Sequence, residues 1–190
     1  AGIASTDGNG IINHKDTGLV YRVFKRPDSL KKLKGKIAIG HVRYSTTGGS
    51  GIINAQPLTM RHSKGDLALV HNGNLVNTRQ LKEMLECQGS IFQTLNDTEV
   101  ILHLIARSFK GNIEDAIVEA LAQVRGSYSV LFMTSKKLIA VRDPLGIRPL
   151  VLGEIEGEYC FASETPSLDL IGATYLREVE PGEMVVIDGN

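Results

Sequence analysis

Short apolar runs rich in β-branched residues punctuate this chain and predict strands. They span 36–43, 66–70, 128–134, 138–142, 149–153, 158–162 and 183–188, with 11–14 and 19–24 as weaker candidates. The Ser135-Lys136-Lys137 break between two of them predicts a hairpin and antiparallel pairing. Three stretches instead repeat their apolar positions at helical spacing. Asn77 can cap the first, which runs to Gln88, with Gln80 completing a capping box and Leu81, Met84 and Leu85 on one face. The second begins near Asn96 and presents Val100, Ile101, Leu104 and Ile105. The third runs from Asn112 to Arg125 and stops at Gly126. Strands cluster on both sides of this helical block, so the pattern predicts an α+β fold rather than a βαβ alternation.

With 190 residues, 42% hydrophobic and 22% charged, the chain suits one globular domain over 1–190. Twenty-one basic residues balance 21 acidic ones, which argues against a nucleic-acid or membrane-surface partner. The basic run from Lys25 to Lys36 reads as a solvated loop around Pro27. Two cysteines, Cys87 and Cys160, make neither a disulfide framework nor a metal quartet, and suit a reducing cytoplasm. No apolar stretch is long enough to span a membrane.

Four polar clusters close apolar runs, where functional residues tend to lie. In 40–51, Arg43 is delivered into a loop of hydroxyls and glycines. It is either a solvated surface arginine or a two-pronged grip on a carboxylate. In Leu69-Val70-His71-Asn72-Gly73-Asn74-Leu75-Val76-Asn77, the strand halts at a polar group. Asn72-Gly73 is a hairpin turn, or an oxyanion hole made of a side-chain amide and a closely approaching backbone N–H. In Asn96-Asp97-Thr98-Glu99, Asn96 and Glu99 form a capping box and leave Asp97 spare, as a helix-start residue or as a partner for an ammonium group. The stretch from Arg142 to Leu150, with two prolines and a glycine, reads as a rigid structural turn. The five histidines lack metal-ligand spacing, which favours structural roles.

Taken together and in order, AGIA, GHVRYSTTGGS, LVHNGNLVN, GSIFQT, NDTEV, RDPLGIRPL, FASET and ATYLREVEPGEM resemble the glutaminase domains of the amidophosphoribosyltransferase family, over nearly the whole chain. The resemblance implies a four-layer αββα N-terminal-nucleophile hydrolase-like sandwich of two mainly antiparallel sheets. It implies that glutamine is hydrolysed and its ammonia passed to a phosphoribosyltransferase domain of the same polypeptide, which aminates phosphoribosyl pyrophosphate at the start of purine synthesis. By the same resemblance Arg43 holds the glutamine α-carboxylate, Thr46 lies in the loop over it, Asn72 and Gly73 form the oxyanion hole, and Asp97 binds the α-amino group. A homo-oligomer is implied, with no cofactor in this domain; Mg²⁺ and any iron–sulfur cluster would belong to the rest of the enzyme.

The family's nucleophile is an N-terminal cysteine, whereas residue 1 here is alanine, so the expectation is a domain truncated at its N-terminus and inactive as it stands. Two rivals remain: the glutaminase domain of another amidotransferase, and a nucleophile-free module that senses glutamine.

Overall fold

Leu67, Ala68, Leu69 and Val70 show how the sheet is built. Successive side chains of a strand point to opposite faces, and here both faces are covered. Leu67 and Leu69 enter a core that contains Phe132 and Ile105, while Ala68 and Val70 enter a second one with Ala4 and Ile39. A strand buried on both faces is a near-continuous apolar run, which is why it was legible.

The computed structural model describes residues 1–43, 51–63 and 65–188. In chain order its elements are β1 (Gly2–Thr6), β2 (Ile11–Lys15), α1 (Val20–Val23), α2 (Pro27–Lys31), β3 (Ile37–His41), β4 (Leu58–His62) and β5 (Gly65–Leu75). Then come α3 (Thr78–Cys87), α4 (Glu99–Arg107), α5 (Ile113–Leu121), β6 (Gly126–Met133), β7 (Lys137–Arg142), β8 (Val151–Ile155), β9 (Glu158–Ala162), α6 (Thr165–Ile171), β10 (Thr174–Glu178) and β11 (Met184–Asp188). Every strand pair is antiparallel, in three sheets ordered β2-β1-β3, β10-β8-β9 and β11-β7-β6-β5-β4.

The layers follow from the two cores. Helices α3, α4 and α5 seat Leu85, Ile101, Ile105 and Ile117 on one face of the five-stranded sheet. The other face meets both three-stranded sheets, through Ala4 and Ile39 on one side and Phe161 and Leu150 on the other. Beyond them α6 buries Leu168 against Val151. Each fully buried Leu, Ile or Phe contributes roughly 1.5–3 kcal/mol. This is the expected α+β sandwich, with its second sheet split in two.

Several local expectations are corrected. Residues 19–24 form the short helix α1, not a strand, because Val20, Val23 and Phe24 also satisfy the i, i+3, i+4 spacing of a helical turn. Asn77 sits at the α3 cap position but makes no cap bond. Its amide instead ties down the end of the next helical block, donating to the Gln123 carbonyl and accepting the Arg125 N–H, both at 2.9 Å. Met84 lies partly in solvent, since only Leu81 and Leu85 of its face reach the core. Helix α5, capped by Asn112 through the Asp115 N–H, ends at Leu121, and Gly126 opens β6 instead of stopping the helix. A side chain at Gly126 would collide with the Asn74 carbonyl, 2.3 Å from the position of its Cβ.

Candidate functional site

The strand expected to halt at His71 does not halt. β5 runs on to Leu75, pairing Asn72 with Ser129, Gly73 with Tyr128 and Asn74 with Ser127 of β6. What stops is its other neighbour. β4 pairs with β5 between Gly65 and Leu69, and from Val70 onward no strand among the described residues pairs with that edge of β5. Along that edge the N–H groups of residues 71, 73 and 75 point away from β6, because strand donors alternate sides.

Two of the three are taken by side chains. The His71 N–H donates to Oε1 of Gln56 at 2.6 Å, and the Leu75 N–H donates to Oδ2 of Asp97 at 3.1 Å. Between them the Gly73 N–H has no acceptor among the described residues. The Asn72 side chain rises from the same point on the sheet face it shares with Val70. Gly73 is also required sterically, since a Cβ there would lie 2.1 Å from the Ser127 carbonyl oxygen.

One cavity of about 240 Å³ gathers Arg43, Asn72, Gly73 and Asp97. Arg43 arrives two residues past the end of β3, and Asp97 from the turn before α4. Thr46 lies outside the described residues. Asp97 is not the spare carboxylate the sequence suggests. It accepts from Leu75 and from the Thr98 hydroxyl at 3.2 Å, and its Oδ1 stands 4.0 Å from Nδ1 of His71. The capping box is absent as well: Glu99 turns back to the N–H groups of Gln93 and Thr94, both at 2.8 Å, while Asn96 accepts the Thr98 N–H. These bonds fix the turn that carries Asp97.

Sequence reasoning missed three further residues of this wall: Gln56, His41 and Arg148. Arg148 belongs to the turn read as structural, and that turn is structural. Its Asp143 is fully buried and accepts the N–H groups of Tyr128, Leu145 and Ile147, while Arg142 binds the carbonyls of Gly146, Arg148 and Val179. The Arg148 side chain nevertheless lines the cavity.

His41 bridges the sheets, its Nε2 lying 3.1 Å from the His71 carbonyl. A carbonyl only accepts, so that nitrogen carries the proton and Nδ1 is bare. Nδ1 is buried without a partner among the described residues. Burial holds the His41 pKa down at about 4, against the opposing pull of its hydrogen bond to the His71 carbonyl and with a smaller push downward from the Arg43 charge. His71 is likewise held neutral by burial, against the pull of Asp97. The cavity thus offers two guanidinium groups, one carboxylate, and an amide beside a bare backbone N–H. Neither Cys87 nor Cys160 lines it. No group of three or more His, Cys, Asp or Glu able to hold a metal occurs among the described residues, and no described helix is long and apolar enough to cross a membrane.

Comparison with known proteins adds relatives. A family model described as a glutamine amidotransferase domain matches residues 41–169. The amidophosphoribosyltransferase of Bacillus subtilis is 53% identical over 189 residues, covering 99% of this chain and 40% of that protein. Amidophosphoribosyltransferase 3 of Arabidopsis thaliana, a chloroplastic protein, is 52% identical over 191 residues, covering 36% of its length. The chain therefore spans well under half of these relatives. Among solved structures, the B. subtilis glutamine phosphoribosylpyrophosphate amidotransferase complexed with ADP and GMP superposes with a TM-score of 0.92 at 52% identity, over 98% of this chain and 40% of that one. A class-II glutamine aminotransferase domain protein of Silicibacter pomeroyi reaches 0.72 at 16% identity, covering 98% of this chain and 86% of its own, which speaks for the fold alone.

Proposed function

The chain belongs to the glutamine amidotransferase family, and from that premise we propose that it is the glutaminase domain, 1–190, of an amidophosphoribosyltransferase. One observation carries the proposal: the open edge of β5 presents the bare Gly73 N–H beside the Asn72 amide, in the cavity that also holds Arg43 and Asp97.

The mechanism follows from the charges. Arg43 binds the α-carboxylate of glutamine and Asp97 its ammonium group, which extends the side-chain amide toward the strand edge. The nucleophile is the N-terminal cysteine of the longer protein. Its thiolate adds to the amide carbon, and the electron pair of the C=O bond moves onto oxygen. Asn72 and Gly73 donate to that developing oxyanion, where preorganised donors are worth most. The α-amino group of that cysteine takes the thiol proton and passes it to the amide nitrogen, so that collapse of the adduct re-forms the C=O bond, breaks the C–N bond and releases ammonia. Water then cleaves the thioester to give glutamate and regenerates the thiol.

Ammonia passes, on this proposal, to a phosphoribosyltransferase domain of the same polypeptide, which replaces the pyrophosphate of phosphoribosyl pyrophosphate to give phosphoribosylamine. The length of the relatives supports such a partner. We place no metal in this domain; Mg²⁺ and any iron–sulfur cluster belong to the remainder. We further propose a cytoplasmic homo-oligomer in which residues 1–190 alone, without the cysteine, are inactive.

The test is glutamate release from glutamine by the longer, cysteine-bearing protein. Asn72→Ala lowers its kcat by roughly 100- to 1,000-fold, the usual cost of one oxyanion donor. An unchanged kcat removes Asn72 from the site, and glutamate release by residues 1–190 alone rejects the assignment of the nucleophile.

A further inference from the structure

The open edge of β5 has three outward N–H groups, and among the described residues the outer two have side-chain acceptors while the middle one has none. What decides this is a side chain that stands in for a strand. β4 begins at Leu58, opposite Leu69, and the next partner in register, for His71, is Gln56. Pro57 lies between them in the sequence. The backbone leaves the sheet there, and the Gln56 side chain takes its place.

A primary amide has the same acceptor and donor as a peptide group, and Gln56 uses both. Its Oε1 accepts the His71 N–H at 2.6 Å, and its Nε2 lies 3.4 Å from both the His71 carbonyl and the Thr98 hydroxyl. The side chain is buried. It reaches Asp97 through Thr98, whose hydroxyl donates to Oδ1 of that carboxylate. One amide thus touches the strand that carries the oxyanion donor and the turn that carries the ammonium acceptor.

We propose that Gln56 is a positioning residue of the glutaminase reaction: by pairing with His71 as a strand residue would, it sets the β5 edge so that the Gly73 N–H meets the oxyanion. This rests on the glutaminase function proposed above. Its amide is spent on His71 and Thr98, so Gln56 acts through the strand. It acts in the transition state, because the Gly73 donor matters only once charge develops on oxygen. Losing Gln56 therefore lowers kcat and leaves glutamine binding by Arg43 and Asp97 nearly intact.

The test uses the longer, cysteine-bearing protein, with glutamate release measured across glutamine concentration and pH. Gln56→Met keeps the length and removes all of the amide's hydrogen bonds to His71 and Thr98. Its kcat falls roughly 10- to 100-fold, as for a donor displaced by a fraction of an ångström to one ångström, while KM stays within about threefold. Gln56→Glu supplies a finer readout. Burial and the facing Asp97 hold its carboxyl pKa up, against the opposing pull of Arg43 and Arg148; His41 and His71 face it as neutral rings. Once protonated, the carboxyl again offers one acceptor and one donor, so the ratio of variant to wild-type kcat rises as pH falls.

A kcat for Gln56→Met within about twofold of wild type overturns the proposal. So does a loss in KM equal to that in kcat, or a Gln56→Glu ratio flat in pH; if the Met variant does not fold, the Glu variant alone decides. Wild-type protein that releases no glutamate rejects the glutaminase function itself, and this inference with it.

Discussion

The Asp97 carboxylate accepts the backbone N–H of Leu75 at 3.1 Å, two residues along the strand from the bare Gly73 N–H. The residue proposed to hold the ligand's ammonium group is therefore tied to the strand that holds the oxyanion donors. The spacing between Asp97 and the Gly73 N–H is set by this bond together with the Thr98 hydroxyl, which lies 3.0 Å from Nδ1 of His71, rather than by two independent loops.

That tie separates a structural from an electrostatic effect at one position. Asp97→Asn keeps an oxygen for the Leu75 N–H and turns an NH₂ to the Thr98 hydroxyl, which can accept as well as donate, so its stability to denaturant stays close to wild type. Asp97→Ala leaves the Leu75 N–H without its acceptor and costs about 1–3 kcal/mol more. Urea unfolding of the two variants checks the difference. Equal stabilities would show that water replaces the carboxylate at no cost.

Asp143 carries the larger structural load. Its buried carboxylate accepts three backbone N–H groups at the end of β7, and its position fixes the turn that sends Arg148 to the cavity. Asp143→Ala strands several buried donors at once and destabilises the fold by about 3 kcal/mol or more. A melting temperature near that of wild type contradicts this.

Asp143 and Gln56 also mark how far the sequence was legible. Arg43, Asn72, Gly73 and Asp97 were legible as candidates because each interrupts or follows an apolar run, where a polar residue needs a reason, and the structure gathers the four in one cavity. Gln56 has no such signal. It sits between an Ala and a Pro, and its importance comes from a strand ending in space beside another, which no local pattern encodes. β4 itself went unseen, because Leu58 to His62 is short and mixed in polarity. Asn77 and the Asn96–Glu99 pair show the opposite error: good cap residues whose side chains make longer-range bonds instead. The sandwich was visible in its two-sided strand β5, whereas the split of the second sheet depends on pairings that sequence does not record.

The histidines set the pH response. Unfolded His41 has a pKa of 6.5 and the folded residue about 4, because burial disfavours its charge. Between those values the unfolded chain binds more protons than the folded one. Stability is therefore fully present above about pH 6.5 and falls with pH until about pH 4, by roughly 3 kcal/mol for this residue. His71, lowered for the same reason, adds a loss of the same sign. His41→Gln keeps a donor toward the His71 carbonyl and flattens the dependence. Urea midpoints of both proteins near neutral pH and at about pH 4.5 measure it, and parallel pH profiles would exclude His41 as the source.

Arg43 and Asp97, which line one cavity, are proposed to read the two charges of glutamine, and ligands that lack one charge test them separately. Glutaramate is glutamine without its α-amino group. It keeps the carboxylate proposed for Arg43 and has nothing for Asp97. Leaving one member of a desolvated charge pair without its partner costs roughly 2–5 kcal/mol, much of it from the stranded charge. Glutamine therefore binds far more weakly to Asp97→Asn than to wild type. Glutaramate binds that variant at least as well as wild type, because the carboxylate it would strand has gone. Arg43→Ala weakens both ligands. Asp97→Asn, unlike Asp97→Ala, leaves the Leu75 bond in place, so a loss for glutamine alone cannot come from a displaced strand. Calorimetry of the three proteins with both ligands decides it. If Asp97→Asn weakens glutamine and glutaramate equally, Asp97 only braces β5, and the ammonium group is read elsewhere.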